Sequence, residues 1–382
     1  MIPQLVEIQE AIRKEHFHGW LFYNFNHRDS ISDTILNINP HATNSRRWVY
    51  MIPGEAPPVA ICHRIEPDIL KHLPGETFLY SGMDEFISLL KRFKGLELAA
   101  QYSPENPSIS FLDAGMFELC VSCGITLRSS SSLIQRHLGL LSQSDIESHF
   151  RAADHLYEII RNVWSRIKNC VQLPLEKEVM TWINQEFIMR KLVTVHSPIV
   201  GSGMHSRDPH FDTLKSEKRI GENEVLQFDI WGKEPDGIWA DISWIGFTGT
   251  SVPKSVSRLF SAVTDARDYA VEYIRQSIES TQVVTGSDID AAVRHFIQHQ
   301  GFGHGILHRT GHSIDRTLHG WGTNIDSYEF PDTRQLLDGS CFSIEPGIYL
   351  EDFGMRSEIN CILHGHELLI SGPGVQKDIL AF

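Results

Sequence analysis

The polar and apolar positions of residues 1–140 switch between two periods. Leu5, Ile8 and Ile12 recur at helical spacing with charges between them, which predicts an amphipathic opening helix. After Gly19 the run WLFYNF (residues 20–25) is unbroken aromatic and aliphatic, as in a buried strand. Residues 47–52 and 58–62 read as two further strands, divided by the turn-forming Pro53-Gly54-Glu55. Residues 83–93 carry a helical stripe, SISFL (108–112) reads as a strand, 113–123 as a helix that stops at Gly124, and 125–127 as another strand. Such alternation predicts an α/β domain with a mixed or parallel sheet over residues 1–140.

A boundary is expected at 138–142, before a second domain over 141–382. Ser144 and Glu147 have capping-box spacing, and Ile146, Phe150, Ala153, Leu156, Ile160, Val163 and Ile167 continue the long helix they would open. Leu175, Val179, Ile183 and Phe187 mark a second helix, and further helices are predicted over 256–278 and from Ser287 to Gly301. Helix pairs with hairpins between and after them predict an α+β domain, its helices on one face of a curved sheet. The chain shows no tandem repeat and no low-complexity tract.

Two of the hairpins carry acids at matched positions. In residues 225–247 the turn signal Lys233-Glu234-Pro235-Asp236-Gly237 lies between apolar strands, and Asp229 and Asp241 are equidistant from Pro235. That spacing predicts that they face each other across the hairpin, with Cβ atoms ~5 Å apart. Two carboxylates so close repel unless a cation lies between them. In residues 341–363, Glu345 and Glu358 are equidistant from the midpoint of Glu351 and Asp352, which fits a two-residue turn with the glutamates opposed. One such pair reads equally well as exposed turn acids; two with matching geometry point to a shared site. Trp231, Trp239 and Trp244 flank the aspartates and could either wall a pocket or pack a core.

Composition narrows the class. Apolar residues are 41% of 382, enough for a sizeable core in each domain. A formal charge of −14 argues against nucleic acid and anionic membrane surfaces as partners. The six cysteines are scattered, which suits reduced thiols and a cytoplasmic location; the single CxxC, Cys120 and Cys123, reads as a buried helix face. The N-terminus lacks a basic region and a continuous apolar run, so no signal peptide is expected, and no segment approaches the ~18 apolar residues of a membrane span.

Between the acidic hairpins, residues 301–322 (GFGHGILHRTGHSIDRTLHGWG) hold His304, His308, His312 and His319 among glycines that let backbone and ligand approach closely. This is no HExxH zinc helix. Of the four, His312 and His319 are the pair most suited to join the acids. Four carboxylates and an imidazole would suit a pair of hard or borderline divalent ions such as Mn, Co or Zn.

Asp229, Asp241, His312, Glu345 and Glu358, in that order, together with SIEPGIY (343–349), GMRSE (354–358), HRTGHSIDRTLH (308–319) and SPIVGSGMHSRDPH (197–210), resemble the pita-bread metallopeptidases: aminopeptidase P, prolidase and methionine aminopeptidase. The N-terminal α/β domain resembles the extra domain of the creatinase, prolidase and aminopeptidase P branch. The resemblance implies two divalent metal ions, manganese foremost. Asp229 would chelate one ion, Asp241 and Glu358 would bridge both, and His312 and Glu345 would complete the second site. His210 and His319 would contact the scissile carbonyl and oxyanion, with Arg356 and His308 supporting the substrate side. Glu345 would also carry the proton. The implied activity is cleavage of Xaa-Pro bonds in short peptides by a metal-bridging hydroxide, in a homodimer whose N-terminal domain limits access.

Three departures from the family pattern stand out. The Asp229-to-Asp241 spacing is one residue longer than usual, which predicts an adjustment in the turn or a bulge at 233–237. Ile359 replaces an acid that many relatives have beside the last glutamate. Pro331 stands where prolidases commonly carry an arginine for the dipeptide carboxylate. Two other readings therefore stay open: the same fold and metals acting on a non-peptide amide or other small substrate, or a binding module without peptidase activity.

Overall fold

The computed structural model describes residues 5–382; Met1–Gln4, the start of the N-terminal segment analysed above, lie outside the described residues. The chain divides into two units, Met1–Leu138 and Gly139–Phe382.

In the first unit, α1 (Leu5–Lys14) precedes β1 (Gly19–Asn24), α2 (Ser30–Ile35), β2 (Trp48–Pro53), β3 (Val59–His63), β4 (Glu76–Tyr80), α3 (Met83–Leu90), β5 (Glu97–Ala100), α4 (Ala114–Ser122), β6 (Thr126–Ser129) and α5 (Ser131–Leu138). The described residues form one mixed sheet in the order β4-β3-β2-β1-β5-β6. Every residue of β1 is buried, because it runs antiparallel to β2 on one side and parallel to β5 on the other. SISFL is not a strand. Pro107 opens a 3-10 turn capped by the Asn106 side chain, and the N–H groups of Phe111 and Leu112 both donate to the Gln101 carbonyl. The strand here is instead β5, ELAA, whose weak intrinsic preference is overridden by its place between β1 and β6. Cys120 and Cys123 are buried in the core beside α4, and burial pushes the Cys120 thiol up to about 12.

The second unit duplicates one architecture without repeating a sequence. A 26-residue helix α6 (Gln143–Lys168) and a 14-residue α7 (Glu176–Met189) precede β7 (Ile199–Ser202), β8 (Val225–Gly232) and β9 (Ala240–Phe247). Then α8 (Lys254–Glu279) and α9 (Gly286–His299), again 26 and 14 residues, precede β10 (Cys341–Ile344), β11 (Gly347–Tyr349), β12 (Gly354–Arg356), β13 (Ile359–His364), β14 (Glu367–Ile370) and β15 (Leu380–Ala381). The capping box of α6 uses Ser142 and Asp145, not Ser144 and Glu147: the Ser142 hydroxyl accepts from the Asp145 N–H while the Asp145 carboxylate accepts from the Ser142 N–H.

Period-2 alternation then splits each hairpin. Phe228, Ile230, Ala240 and Ile242 pack on α6 and α7, against Leu156, Ile160, Val179 and Ile183. Phe342, Ile344, Ile359 and Cys361 pack on α8 and α9, against Val263, Ala266, Ile289 and Val293. The opposite faces carry the acids and meet through polar contacts: the Asp241 N–H donates to Asn360 Oδ1 (2.8 Å) and the Glu358 N–H to the Ser243 carbonyl (3.1 Å). Burial of the apolar faces thus turns the two acidic faces toward each other. Among the described residues no helix is long and apolar enough to cross a membrane.

Candidate metal centre

The aspartate hairpin closes one residue later than its symmetry predicts. Asp236 takes a left-handed conformation (φ 61°), and Lys233 leaves the ladder to pair with Val193. The register therefore sets Asp229 opposite Ser243 and Asp241 opposite Trp231. The ladder runs unbroken from Val225 to Gly232, so the longer spacing is absorbed in the turn and not in a bulge. Asp229 and Asp241 are diagonal neighbours on one face, not directly opposed, and Ser243 occupies the predicted partner's place. Its hydroxyl lies 2.7 Å from Asp229 Oδ1 and 3.1 Å from Glu358 Oε2.

The glutamate hairpin has the register its spacing predicts. Ile344 pairs with Ile359 and Gly347 with Arg356, which puts Glu345 and Glu358 at opposed positions between two short ladders. The Leu350 N–H donates to the Phe353 carbonyl across the two-residue turn at Glu351 and Asp352. Pro346 and Ser357 separate the ladders, leaving the glutamates outside regular pairing.

The histidine segment lies along β10. The Ser343 N–H donates to the His312 carbonyl (2.8 Å) and the Glu345 N–H to the Thr310 carbonyl (2.7 Å). Gly311 permits this approach, since a Cβ there would sit 2.0 Å from the Ser343 carbonyl oxygen. His312 Nδ1 faces the Ser313 carbonyl at 3.0 Å, which can only accept, so Nδ1 carries the proton and Nε2 presents a lone pair. That Nε2 lies 3.5 Å from Glu345 Oε1 and 3.7 Å from Asp241 Oδ2. One ligand atom each from Asp241, His312 and Glu358 falls within 4.8 Å of the others.

The charge balance is incomplete. Arg356, buried, donates to Asp229 and to the Ser243 hydroxyl (3.0 Å), and its Nε lies 3.8 Å from Glu345 Oε2. Burial drives the Asp229 carboxyl up while Arg356 opposes the rise. Burial also works against the Glu345 charge, but His312, Arg356 and His308 outweigh it and hold that carboxyl below its ordinary range. For Asp241 and Glu358 Arg356 is too little help: burial, and then the neighbouring carboxylates, push both well up. Among the described residues neither Asp241 Oδ1 nor Glu358 Oε1 has a hydrogen-bond partner, although both are buried. Buried acceptors without donors are costly, and a divalent cation is the group that satisfies two at once. The residues present fit a metal.

These groups open onto a cavity of about 860 Å³, within the range of small-molecule sites. His210, His308, His319, Arg309 and Trp231 line it with the acids. His319 packs edge-on to His312, with ring centroids 4.4 Å apart. Proximity to His312, then burial, push His319 down to about 3, so its imidazole is neutral at pH 7. His308 Nε2 lies 2.8 Å from the Tyr349 hydroxyl, whose other neighbour is Arg356 (3.4 Å). His304 does not line this cavity. Of the three tryptophans, Trp239 is core and Trp244 packs against the α6–α7 core, leaving Trp231 at the cavity. Sequence reasoning missed Ser243, Arg309, Tyr349 and Asn360. Ser243 and Asn360 were readable as same-face neighbours of Asp241 and Glu358 at spacing two.

Comparisons with known proteins bear on the family and the fold. The profile of metallopeptidase family M24 matches residues 147–365. An Xaa-Pro dipeptidase of Lactobacillus helveticus is 28% identical over 186 residues, 48% of this chain and 47% of that protein. The chain thus spans about half the length of the curated relatives it matches first. Among solved structures, dipeptidase PepE of Mycobacterium ulcerans superposes with a TM-score of 0.73 at 19% identity, covering 99% of this chain and 96% of that one. A prolidase of Thermococcus sibiricus gives 0.67 at 22%, covering 100% and 98%. At these identities the structures establish the fold, which is the pita-bread α+β fold that the motifs imply. With the family profile covering more than half of its length, the chain belongs to metallopeptidase family M24, a family that implies divalent metal ions.

Proposed function

We propose that this protein is a dinuclear metal-dependent hydrolase that cleaves the Xaa-Pro bond of short peptides. The observation that carries the reading is the buried, unpartnered carboxylate oxygen on each of Asp241 and Glu358, two side chains that each bring a ligand atom within 4.8 Å of one on His312. Asp229, Asp241, His312, Glu345 and Glu358 would hold two ions. The oxygen-rich set with one imidazole favours manganese, with cobalt or zinc as competitors. Bound divalent cations supply Lewis acidity toward water and a carbonyl.

The remaining work falls to the chain. Glu345, held ionised, accepts a proton from water and passes it to the departing nitrogen. The departing nitrogen leaves only when a proton is delivered to it, because its anion is too basic a leaving group. Neutral His319, with His210 on the same cavity, donates to the oxygen of the scissile carbonyl as negative charge gathers there, a role worth roughly 3 kcal/mol. Arg356 holds Asp229 in place and opposes the rise that burial causes in its carboxyl.

The test combines metal analysis of the purified protein with turnover of Xaa-Pro dipeptides and longer peptides. Glu345→Ala should lower kcat by at least about 100-fold. Full turnover by that variant would sink the role given to Glu345. Bound metal without Xaa-Pro cleavage would point to a non-peptide amide or other small substrate, and no bound metal to a binding module.

A further inference from the structure

Glu176, the first residue of α7, is wholly buried, yet it is not what caps its own helix. That task falls to Glu178, whose carboxylate accepts from the Leu175 N–H (2.7 Å). The Glu176 carboxylate turns instead to the end of β7 and the loop that follows it. Its Oε1 accepts from the Ser202 N–H (2.6 Å) and the Ser202 hydroxyl (2.7 Å). Its Oε2 accepts from the Ser216 hydroxyl and from His205 Nδ1 (2.8 Å). A carboxylate offers about four lone-pair sites, so both ends of one loop, residues 203–216, are tied to a single buried group.

His210 lies on that loop, exposed, with its side chain at the cavity. The residue before it, Pro209, is held through its carbonyl by Arg356 (3.4 Å). The residue after it, Phe211, stacks on the His205 ring, with centroids 4.3 Å apart and planes inclined by 27°. A chain of contacts therefore runs from the buried Glu176 carboxylate through the His205 imidazole to the neighbour of His210. Further ties reach the loop at Ser206, Arg207 and Thr213, through the Gly354 N–H, the Glu351 carbonyl and the Val200 N–H. The same device recurs in the other half of the unit. Asp290 on α9, wholly buried, accepts from the N–H and hydroxyl of both Thr310 and Ser327, and so holds the histidine segment. An exposed imidazole needs such support, because a misplacement of about 1 Å can cost a reaction roughly 100-fold.

We infer that Glu176 and His205 are positioning residues for His210: the carboxylate fixes the imidazole, and the imidazole, through Phe211, fixes the place of His210 at the cavity. The inference rests on the peptidase reading above, in which His210 meets the oxygen of the scissile carbonyl. Neither residue touches substrate; both act through His210.

The test is a double-mutant cycle on the metal-loaded protein, read by turnover of Leu-Pro. His205→Ala removes the tie and the stack at a half-buried position, 35% exposed, and leaves the buried carboxylate its serine partners. It should lower kcat about 10-fold, with metal affinity unchanged in a calorimetric titration. In a His210→Ala background the same substitution should cost less than about twofold, because the residue it positions is gone. His205→Asn, whose amide keeps a donor for Glu176 but not the ring, should retain more activity than His205→Ala. Glu176→Gln should show the same dependence on His210, and the His205 variants decide the matter if it misfolds. Equal losses in the two backgrounds, or full kcat in His205→Ala, would overturn the inference while leaving the peptidase reading intact. If the wild type cleaves no Xaa-Pro peptide, the peptidase reading fails and the ring resonance of His210 in isotope-labelled protein tests the placement by itself. His205→Ala should move that resonance toward its position in the denatured chain, and an unmoved resonance would overturn the inference.

Discussion

Removing metal should destabilise the protein, and neutralising one proposed ligand should reverse the sign of that effect. Three buried carboxylates and the partly buried Glu345 converge here, and Arg356 serves chiefly Asp229. Without cations, burial pushes Asp241 and Glu358 up, and the charges of Asp229 and Glu345 add to it, with Asp241 adding further at Glu358. An uncompensated buried charge costs on the order of 3–5 kcal/mol. For a unit of this size each kcal/mol moves Tm by roughly 2–4 °C. Chelation should therefore lower Tm by roughly 10 °C at pH 8.

The pH dependence follows from the direction of the shifts. A carboxyl raised in the folded state holds its proton more tightly folded than unfolded. The metal-free protein thus gains stability at low pH and loses it as pH climbs from the ordinary carboxylate range through the raised values. Chelation should cost less at pH 5 than at pH 8, and metal uptake should release protons. Asp241→Asn removes one charge: it should raise the Tm of the metal-free protein at pH 8 and abolish the gain on adding Mn²⁺. Differential scanning calorimetry of wild type and variant, with chelator and with metal, reads all four states. A wild-type Tm indifferent to chelation, or a metal-free Asp241→Asn less stable than wild type at pH 8, would refute the reasoning.

Two further outcomes concern the scaffold. Gly311→Ala forces a methyl group onto the Ser343 carbonyl, so a loss of roughly 1–3 kcal/mol by calorimetry is expected, with metal affinity down at least tenfold by titration as His312 shifts; unchanged affinity would show that the close approach does not position His312. His149 is wholly buried on α6, its Nδ1 2.6 Å from the Trp239 carbonyl, and burial pushes it down to about 4. The unfolded chain takes up that proton first as pH falls below the ordinary histidine value of 6.5, so about 3 kcal/mol present above that pH is lost on the way to 4. His149→Gln should flatten this acid limb in denaturant melts, and parallel pH profiles for variant and wild type would exclude His149 as its source.

Local periodicity determined much of this protein. The long helices, the buried β1 and both acidic hairpins follow from apolar spacing and turn residues, because those signals lie within a few positions of each other. The glutamate register was legible for the same reason: a two-residue turn leaves no choice of centre. The aspartate turn spans seven residues, 233–239, and its centre depended on Asp236 adopting φ 61° and on Lys233 pairing with distant Val193. The four weak β-formers of β5 became a strand only because β1 and β6 flank them. Charge pairing lay further from view. That Arg356 serves Asp229 across 127 positions, and that Asp241 and Glu358 keep oxygens with no partner among the described residues, are facts of folded distance and burial. The sequence by itself determined which chemical groups are present and which face of each strand carries them. Only the tertiary structure decided which charges are compensated, since desolvation and Coulomb energy depend on separations through space and not along the chain.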